Sequence, residues 1–293
     1  ADEVAILERK VAREVQGGLA SRMIDGDAAR ALAPGLSETV VAASHLEAEG
    51  HADPKALTLA FAAAAAARGV RLRRRCRVVA ARPVRGGYRL TVETPDGPED
   101  LTAPKILIAA GAWSGRIGEL FNLHLPLYPV ALLMSATERT APLLDPLIQH
   151  VGQRLSMKQA HAGNVLIGGG WPSRMRLDAA GRFDLDRPAE MLASSLRGNL
   201  AVAARVFPRV ADLNLIRSWT GITAITADQL PLVGAIPQAP GVYVAAGGSA
   251  FTLGPTFARL LARRILDEPE ERLEIFSPAR FGHLNSFMGA AGA

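Results

Sequence analysis

Two segments of the chain are apolar without interruption and run into glycine: "ILIAAG" from Ile106 to Gly111 and "VYVAAGG" from Val242 to Gly248. Runs of this length fit strands buried on both faces of a parallel sheet, where the usual alternation of apolar and polar residues is lost. After the second run, "GPTFARLLARRILDE" repeats apolar and charged positions at helical period, which predicts an amphipathic helix opening at Gly254 and Pro255. Earlier in the chain, Asp53 precedes Pro54, and Gly69 suits the left-handed residue past a helix end, so a helix is expected over about 54–68. "VRL" and "RVVAA" then read as extended. "GGYRLTVETPDGPEDLTA" reads as a hairpin turning at Pro95, Asp96 and Gly97.

From residue 121 to 218 the pattern changes. "LHLPLYPVALLMSATE", "LSMKQ" and "NVLIGGGWP", with a helical "PAEMLASSLRGNLAVAARVFP", predict an antiparallel sheet with helices packed on it. The chain therefore leaves a first domain for a second and returns to it, and its 293 residues suit about two domains. No internal repeat or low-complexity tract is present.

Composition narrows the function classes. The chain is 49% hydrophobic and 21% charged, as a globular protein is. A lone Cys76 rules out an internal disulfide framework, and no Cys/His cluster has metal-ligand spacing, so no metal is expected. "ADEVAILERKVAREV" at the start lacks the apolar stretch of a secretory signal, and the run from Ala56 to Ala67 is well short of the roughly 20 residues that span a bilayer. The expectation is a soluble, cytoplasmic protein without a transmembrane segment; peripheral contact at the inner face of the membrane stays open. The net charge of +5 raises a nucleic-acid partner. Yet much of that charge sits in "RLRRRCR", where Arg71, Arg73, Arg75 and Arg77 read as one solvated face of a strand, and aromatics make up only 5%. No nucleic acid is expected. The histidines, His45, His51, His124, His150, His161 and His283, have no partners at triad spacing, which leaves nucleophilic hydrolysis unsupported.

Ligands of open α/β sheets collect at the carboxyl ends of the strands, where glycine lets a flat or charged group approach the backbone. A helix following "GGSAFTLGP" aims its N–H groups and positive dipole end at the same region.

"GHADPKALTLAFAAAAAARGV", "KILIAAGAWS", "RSWTGITAITADQLPLVG" and "VYVAAGGSAFTLGPTFARLLARRI" together resemble, in order, four motifs of the D-amino acid oxidase family of FAD-dependent oxidoreductases, which includes glycine oxidase, sarcosine oxidase and D-amino acid dehydrogenases. The resemblance spans almost the whole chain. It implies an α/β fold, an α+β arrangement of discontinuous domains, with an incomplete Rossmann-like FAD-binding domain (48–120 and 219–293) and an inserted antiparallel-sheet substrate domain (1–47 and 121–218). By the same resemblance Val78 meets the adenine, and Ala109, Ala110 and Gly111, with Trp113 behind them, lie beside the pyrophosphate and ribose. Gly221, Asp228, Pro231 and Gly234 match the "W-x-G…T-x-D…P-x-x-G" stretch. Gly247, Gly248, Phe251, Thr252, Leu253 and Gly254 match the loop against the flavin ring. The implied reaction is hydride transfer to FAD from the carbon next to the amine of an amino acid or secondary amine.

Three departures qualify the resemblance. No G-x-G-x-x-G precedes "GHADP", so the expectation is a chain lacking roughly the first 80 to 100 residues, the size of a βαβ unit with added elements. The alternative is a non-catalytic subunit or domain that completes a partner flavoprotein. Thr223 stands where family members often carry an arginine for the substrate carboxylate, leaving Arg217, Arg174 or Arg176 to act instead, or a substrate that is no simple amino acid. "NVLIGGG" lacks the lysine some oxidases hold over the flavin, which favours a dehydrogenase passing electrons to a quinone or protein rather than to oxygen. Lys158 and Gln159 of "SMKQ" are further pocket candidates. No catalytic residue is identified.

Overall fold

The computed structural model describes residues 2–287. Helix α1 (Asp2–Gln16) leads into a small antiparallel ribbon, β1 (Arg22–Asp25) with β2 (Ala42–His45), enclosing α2 (Gly26–Leu32). Helix α3 (Pro54–Ala67) starts as its sequence dictates: the Asp53 carboxylate accepts the N–H groups of Lys55 and Ala56, both at 2.9 Å. An antiparallel meander follows, β3 (Arg77–Val84), β4 (Gly87–Thr94) and β5 (Gly97–Ala103), whose second turn is the Pro95–Asp96 corner. Then come β6 (Ile106–Ile108), a 3₁₀ turn at Gly111–Trp113 and α4 (Ser114–Glu119). The middle of the chain holds β7 (Tyr128–Arg139), β8 (Ile148–His150), β9 (Leu155–Gln159), β10 (Asn164–Gly168) and α5 (Ala193–Val206). The remainder is β11 (Leu215–Ile225), β12 (Leu232–Ala235), β13 (Val242–Ala246), α6 (Ala250–Ile265) and α7 (Gly282–Phe287).

Contacts divide the chain into two compact units. The first joins the residues through Leu57 to Ala131–Gly221. Its sheet has the order β11-β7-β10-β9-β8, and α5 covers one face. Leu155, Met157, Val165 and Ile167 pack there against Val202, Ala203, Val206 and Phe207. Burying each such large side chain contributes about 1.5–3 kcal/mol before chain entropy is counted.

The second unit joins Thr58–Val130 to the residues from Ile222 onward. Its central sheet is β12-β13-β6, with β13 parallel to β6 and antiparallel to β12. One face of β13 and β12 buries Tyr243 and Val233 beneath Phe257, Leu260 and Leu261 of α6. The other face buries Val242, Val244, Leu232 and Ile108 against Leu123, Leu125 and Leu127.

Four local expectations are corrected. Residues 70–76, read as a strand with a solvated arginine face, form no strand, because Arg75 takes a left-handed φ of 54° and Arg73 turns to Glu99. The helix expected from Pro188 starts at Ala193, since Glu190 instead exchanges backbone hydrogen bonds of 2.8 Å with Arg174. Helix α6 begins at Ala250, four residues before Gly254, and carries Pro255 inside it. Leu107, expected to be buried on both faces, is 46% exposed, because β6 ends the sheet among the described residues.

Candidate functional site

Strands β6 and β13 run side by side in one direction and release the chain at the same end of the second unit. From β6 the chain passes through Ala109 and Ala110 to Gly111. Gly111 has φ 56°, and a Cβ built on it meets nothing within 4 Å, so open space lies directly beside the backbone. The turn is fixed from behind by Ser114, fully buried, whose Oγ accepts the Ala110 N–H at 3.1 Å. Trp113 stands 39% exposed next to it.

From β13 the chain passes through Gly247 and Gly248. Gly247 has φ 116°, and a Cβ on it would come within 3.0 Å of the Pro231 Cα, so only glycine lets the loop before β12 close against it. Ser249 then turns left-handed (φ 58°) and α6 starts. Its first turn, with Phe251, Thr252 and Leu253, is exposed, and the helix's positive end and unbonded N–H groups lie in that turn. Two strand ends, a glycine with open space at its side and an exposed helix start with apolar side chains fit a flat, partly anionic cofactor.

The loop before β12 is held by a residue the sequence reading missed. Thr226, 1% exposed, donates its hydroxyl to Asp228 Oδ1 at 2.7 Å and the Leu230 carbonyl at 2.6 Å. Arg280 meets Asp228 through Nε to Oδ2 at 2.7 Å and Nη2 to Oδ1 at 3.2 Å. It also donates to the carbonyls of Leu230, Pro231, Phe276 and Ser277, at 2.8 to 3.2 Å. Hydrogen bonding from Arg280 outweighs the burial that opposes it and holds the Asp228 carboxyl far below the usual carboxylate range. Gly234 belongs to the same brace, because a Cβ on it would sit 3.1 Å from Pro278 Cδ. The structure thus brings Asp228, Pro231 and Gly234 together around the segment 277–281, whose only sequence signal is the capping pair Ser277 and Pro278. Val78 is half-buried in β3 of the meander, at a break in its register with β4.

In the first unit, the sheet face turned away from α5 carries the substrate candidates. Ser135 Oγ and Ser218 Oγ are hydrogen-bonded at 2.9 Å on the α5 side, so the flanking Arg217 and Trp219 stand on the opposite face. The Arg217 guanidinium lies 5.4 Å from the centre of the Trp219 ring. Lys158 faces Leu166 across β9 and β10, and Leu166 faces Ala136 of β7, on this same side. Lys158 Nζ donates to the Ala52 carbonyl at 3.3 Å. Close by, the His51 and His161 rings are 5.6 Å apart, and burial, followed by the charges of Lys158 and His161, lowers the His51 pKa below 6.5.

Other sequence candidates have structural work. Gln159 accepts the Leu143 and Leu144 N–H groups at 2.7 and 3.1 Å and donates to the carbonyls of Thr140, Ala141 and Gly163. Arg174 pairs with Glu190 at 3.5 Å, and Arg176 donates to the Pro188 carbonyl at 3.1 Å. Gly221 and Thr223 are both in β11, Gly221 exposed and Thr223 half-buried. Among the described residues no group of side chains has metal-binding geometry, and no helix is long and apolar enough to cross a membrane.

The profile of the family described as "FAD dependent oxidoreductase" matches residues 1–264. One of the subunits of the opine oxidase of Rhizobium meliloti is 29% identical over 253 residues, 85% of this chain and 62% of that protein. The beta subunit of the sarcosine oxidase of Arthrobacter sp is 27% identical over 265 residues, 86% of this chain and 60% of that protein. The crystal structure of glycine oxidase from Geobacillus kaustophilus superposes with a TM-score of 0.80 at 25% identity, covering 95% of this chain and 72% of that one. L-proline dehydrogenase from P. horikoshii shares the fold, with a TM-score of 0.84 at 23% identity over 96% of this chain and 74% of that one. The chain spans about three fifths of the length of the curated relatives it matches.

Proposed function

Because the chain belongs to the DAO family of FAD-dependent oxidoreductases, we propose that it forms the larger part of an enzyme that oxidises the C–N bond of an amino acid or secondary amine. The observation that carries the reading is the pair of parallel strands β6 and β13, the first followed by Gly111 with open space at its side and the second by the exposed first turn of α6. When bound, FAD supplies the two-electron acceptor for the substrate's hydride. The protein's own residues do the rest. Ala109, Ala110 and Gly111 admit the cofactor to the backbone, and the start of α6 favours negative charge near Phe251 and Thr252. Arg280 keeps the loop from Thr226 to Pro231 closed on Gly247. Arg217, spread over Trp219, presents a two-pronged donor suited to a carboxylate. Thr223 is assigned to the substrate pocket, so Thr223→Arg is expected to change KM for a carboxylate substrate without changing FAD content.

The outer edge of β6, unpaired among the described residues and with Leu107 exposed, is the proposed seat of a phosphate-cradling βαβ unit, whose G-x-G-x-x-G is not among the 293 residues. That unit comes either from the same polypeptide or from a partner chain. The second source is supported by relatives that are themselves named as subunits, of opine oxidase and of sarcosine oxidase. The test is to purify the protein with whatever chain accompanies it in the cell, read its flavin absorbance, and screen amines and amino acids for dye-linked or oxygen-linked oxidation. Bound FAD with amine turnover supports the reading; a colourless preparation that takes up no added FAD overturns it.

A further inference from the structure

Charge is one-sided on the sheet face that turns away from α5. Alternation places Met134 and Ala136 of β7, Leu166 of β10, Ser156 and Lys158 of β9, and Arg217 and Trp219 of β11 on that face. The two charged side chains in this set are both cations. Glu138, past the bulge in β7, is taken up by Asn214, accepting its backbone N–H at 2.7 Å and its side-chain Nδ2 at 2.9 Å.

The two cations share one cross-strand row. Lys158 is in register with Leu166, and Leu166 with Ala136. Ala136 follows Ser135, whose partner Ser218 follows Arg217, so the row reads Arg217, Ala136, Leu166, Lys158. It crosses three strand spacings, about 14 Å. At one end the Arg217 guanidinium carbon lies 5.4 Å from the centre of the Trp219 ring. The other holds the Lys158 ammonium, which donates to the Ala52 carbonyl at 3.3 Å and lies close enough to the Asp53 carboxylate for the two charges to act on each other. Ala136 and Leu166 make the floor between them apolar.

We infer that this row binds a substrate with two carboxylates, one on Arg217 and one on Lys158, with its hydrocarbon linker over Ala136 and Leu166. The class is a dicarboxylate rather than a simple amino acid, and that the linker carries the oxidised amine rests on the amine-oxidation reading above. A monocarboxylate would meet only one of the two cations.

Binding and turnover test the two ideas separately. The indole N–H signal of Trp219 is followed in ¹⁵N-Trp protein during titration with glutarate, adipate and suberate, and with the monocarboxylates of matching length. The best dicarboxylate is expected to bind about tenfold more tightly than its monocarboxylate, a preference that Lys158→Met reduces to about twofold or less and Lys158→Arg restores. Equal affinities in the unaltered protein, or a preference that survives Lys158→Met, overturn the inference. The holoenzyme is then given N-carboxyalkyl and N-alkyl amino acids of equal length. Turnover of both with the same kcat/KM overturns the two-carboxylate row and leaves amine oxidation standing. Dicarboxylate preference in binding with no amine oxidised supports the row and overturns the oxidation reading.

Discussion

Arg280 closes on Asp228 from 52 positions away in the chain, with Nε 2.7 Å from one carboxylate oxygen and Nη2 3.2 Å from the other. The same guanidinium reaches four backbone carbonyls, so a single side chain fixes the loop that packs on Gly247. Arg280→Met removes all of these donors at once. The expected result is a loss of about 1–2 kcal/mol after allowance for solvent at this half-buried pair, and faster amide exchange from Thr226 to Pro231. Because the Asp228 carboxylate stays ionised well below the usual range, its contribution is present above the ordinary Asp pKa of 3.8 and fades only as pH falls through the lowered folded value. Unaltered exchange in the variant would show that the loop is held by other contacts.

Gly111→Val places a branched side chain where φ is 56° and where open space lies beside the backbone. The backbone strain costs about 1–3 kcal/mol, and the new side chain fills the space assigned to the cofactor. The purified holoprotein is expected to lose its yellow colour while its far-UV circular dichroism stays native. Undiminished flavin content would remove "IAAG" from the cofactor surface.

The His51 and His161 pair gives the first unit a pH response. His51 has a folded pKa below its ordinary 6.5, so the folded state binds fewer protons than the unfolded one, and stability falls as pH drops through that value. The groups that act on it are Lys158 and His161, and both also act on Asp53. Asp53 remains a carboxylate, chiefly through its hydrogen bond from the Ala56 N–H. As pH falls from about 7 to about 5, the protection of the amides at residues 50–53, taken relative to the intrinsic exchange rate at each pH, is expected to fall, with a smaller change in His161→Gln. A flat profile in the unaltered protein would refute this.

Phe207, 1% exposed, sits at the end of α5 among Met157, Val165 and Val210. Phe207→Ala should lower the stability of the first unit by about 3–5 kcal/mol, read from the shift in its denaturant midpoint. A cost under about 1 kcal/mol would mean the sheet and α5 are held by something other than this core.

The features that were legible in the sequence are those whose causes are local. Asp53 and Pro54 set the start of α3, and Pro95 with Asp96 and Gly97 sets the hairpin, through contacts within four residues. That "ILIAAG" and "VYVAAGG" are strands was legible in their apolar runs, whereas their parallel pairing came only from the structure. By contrast, the start of α6 at Ala250 depends on the left-handed turn at Ser249, next to Gly247 packed on Pro231, and no propensity at Gly254 reveals it. Arg280 was missed for the same reason: one arginine among many carries no local mark of a carboxylate partner in a distant loop. Lys158 and Arg217 were each visible as residues, but their common row emerged only from the register of four strands.

Ile106 cannot find Val242 until roughly 130 further residues have been made, on the order of ten seconds of synthesis. During that interval β6 lacks the β13 partner it has in the finished sheet, while the first unit, too, waits for its second stretch. The chain emerging from the ribosome therefore carries "ILIAAG" with its β13 edge uncovered past the whole of the inserted sheet. A holdase that covers this segment should raise the yield of folded protein more than one that acts after release.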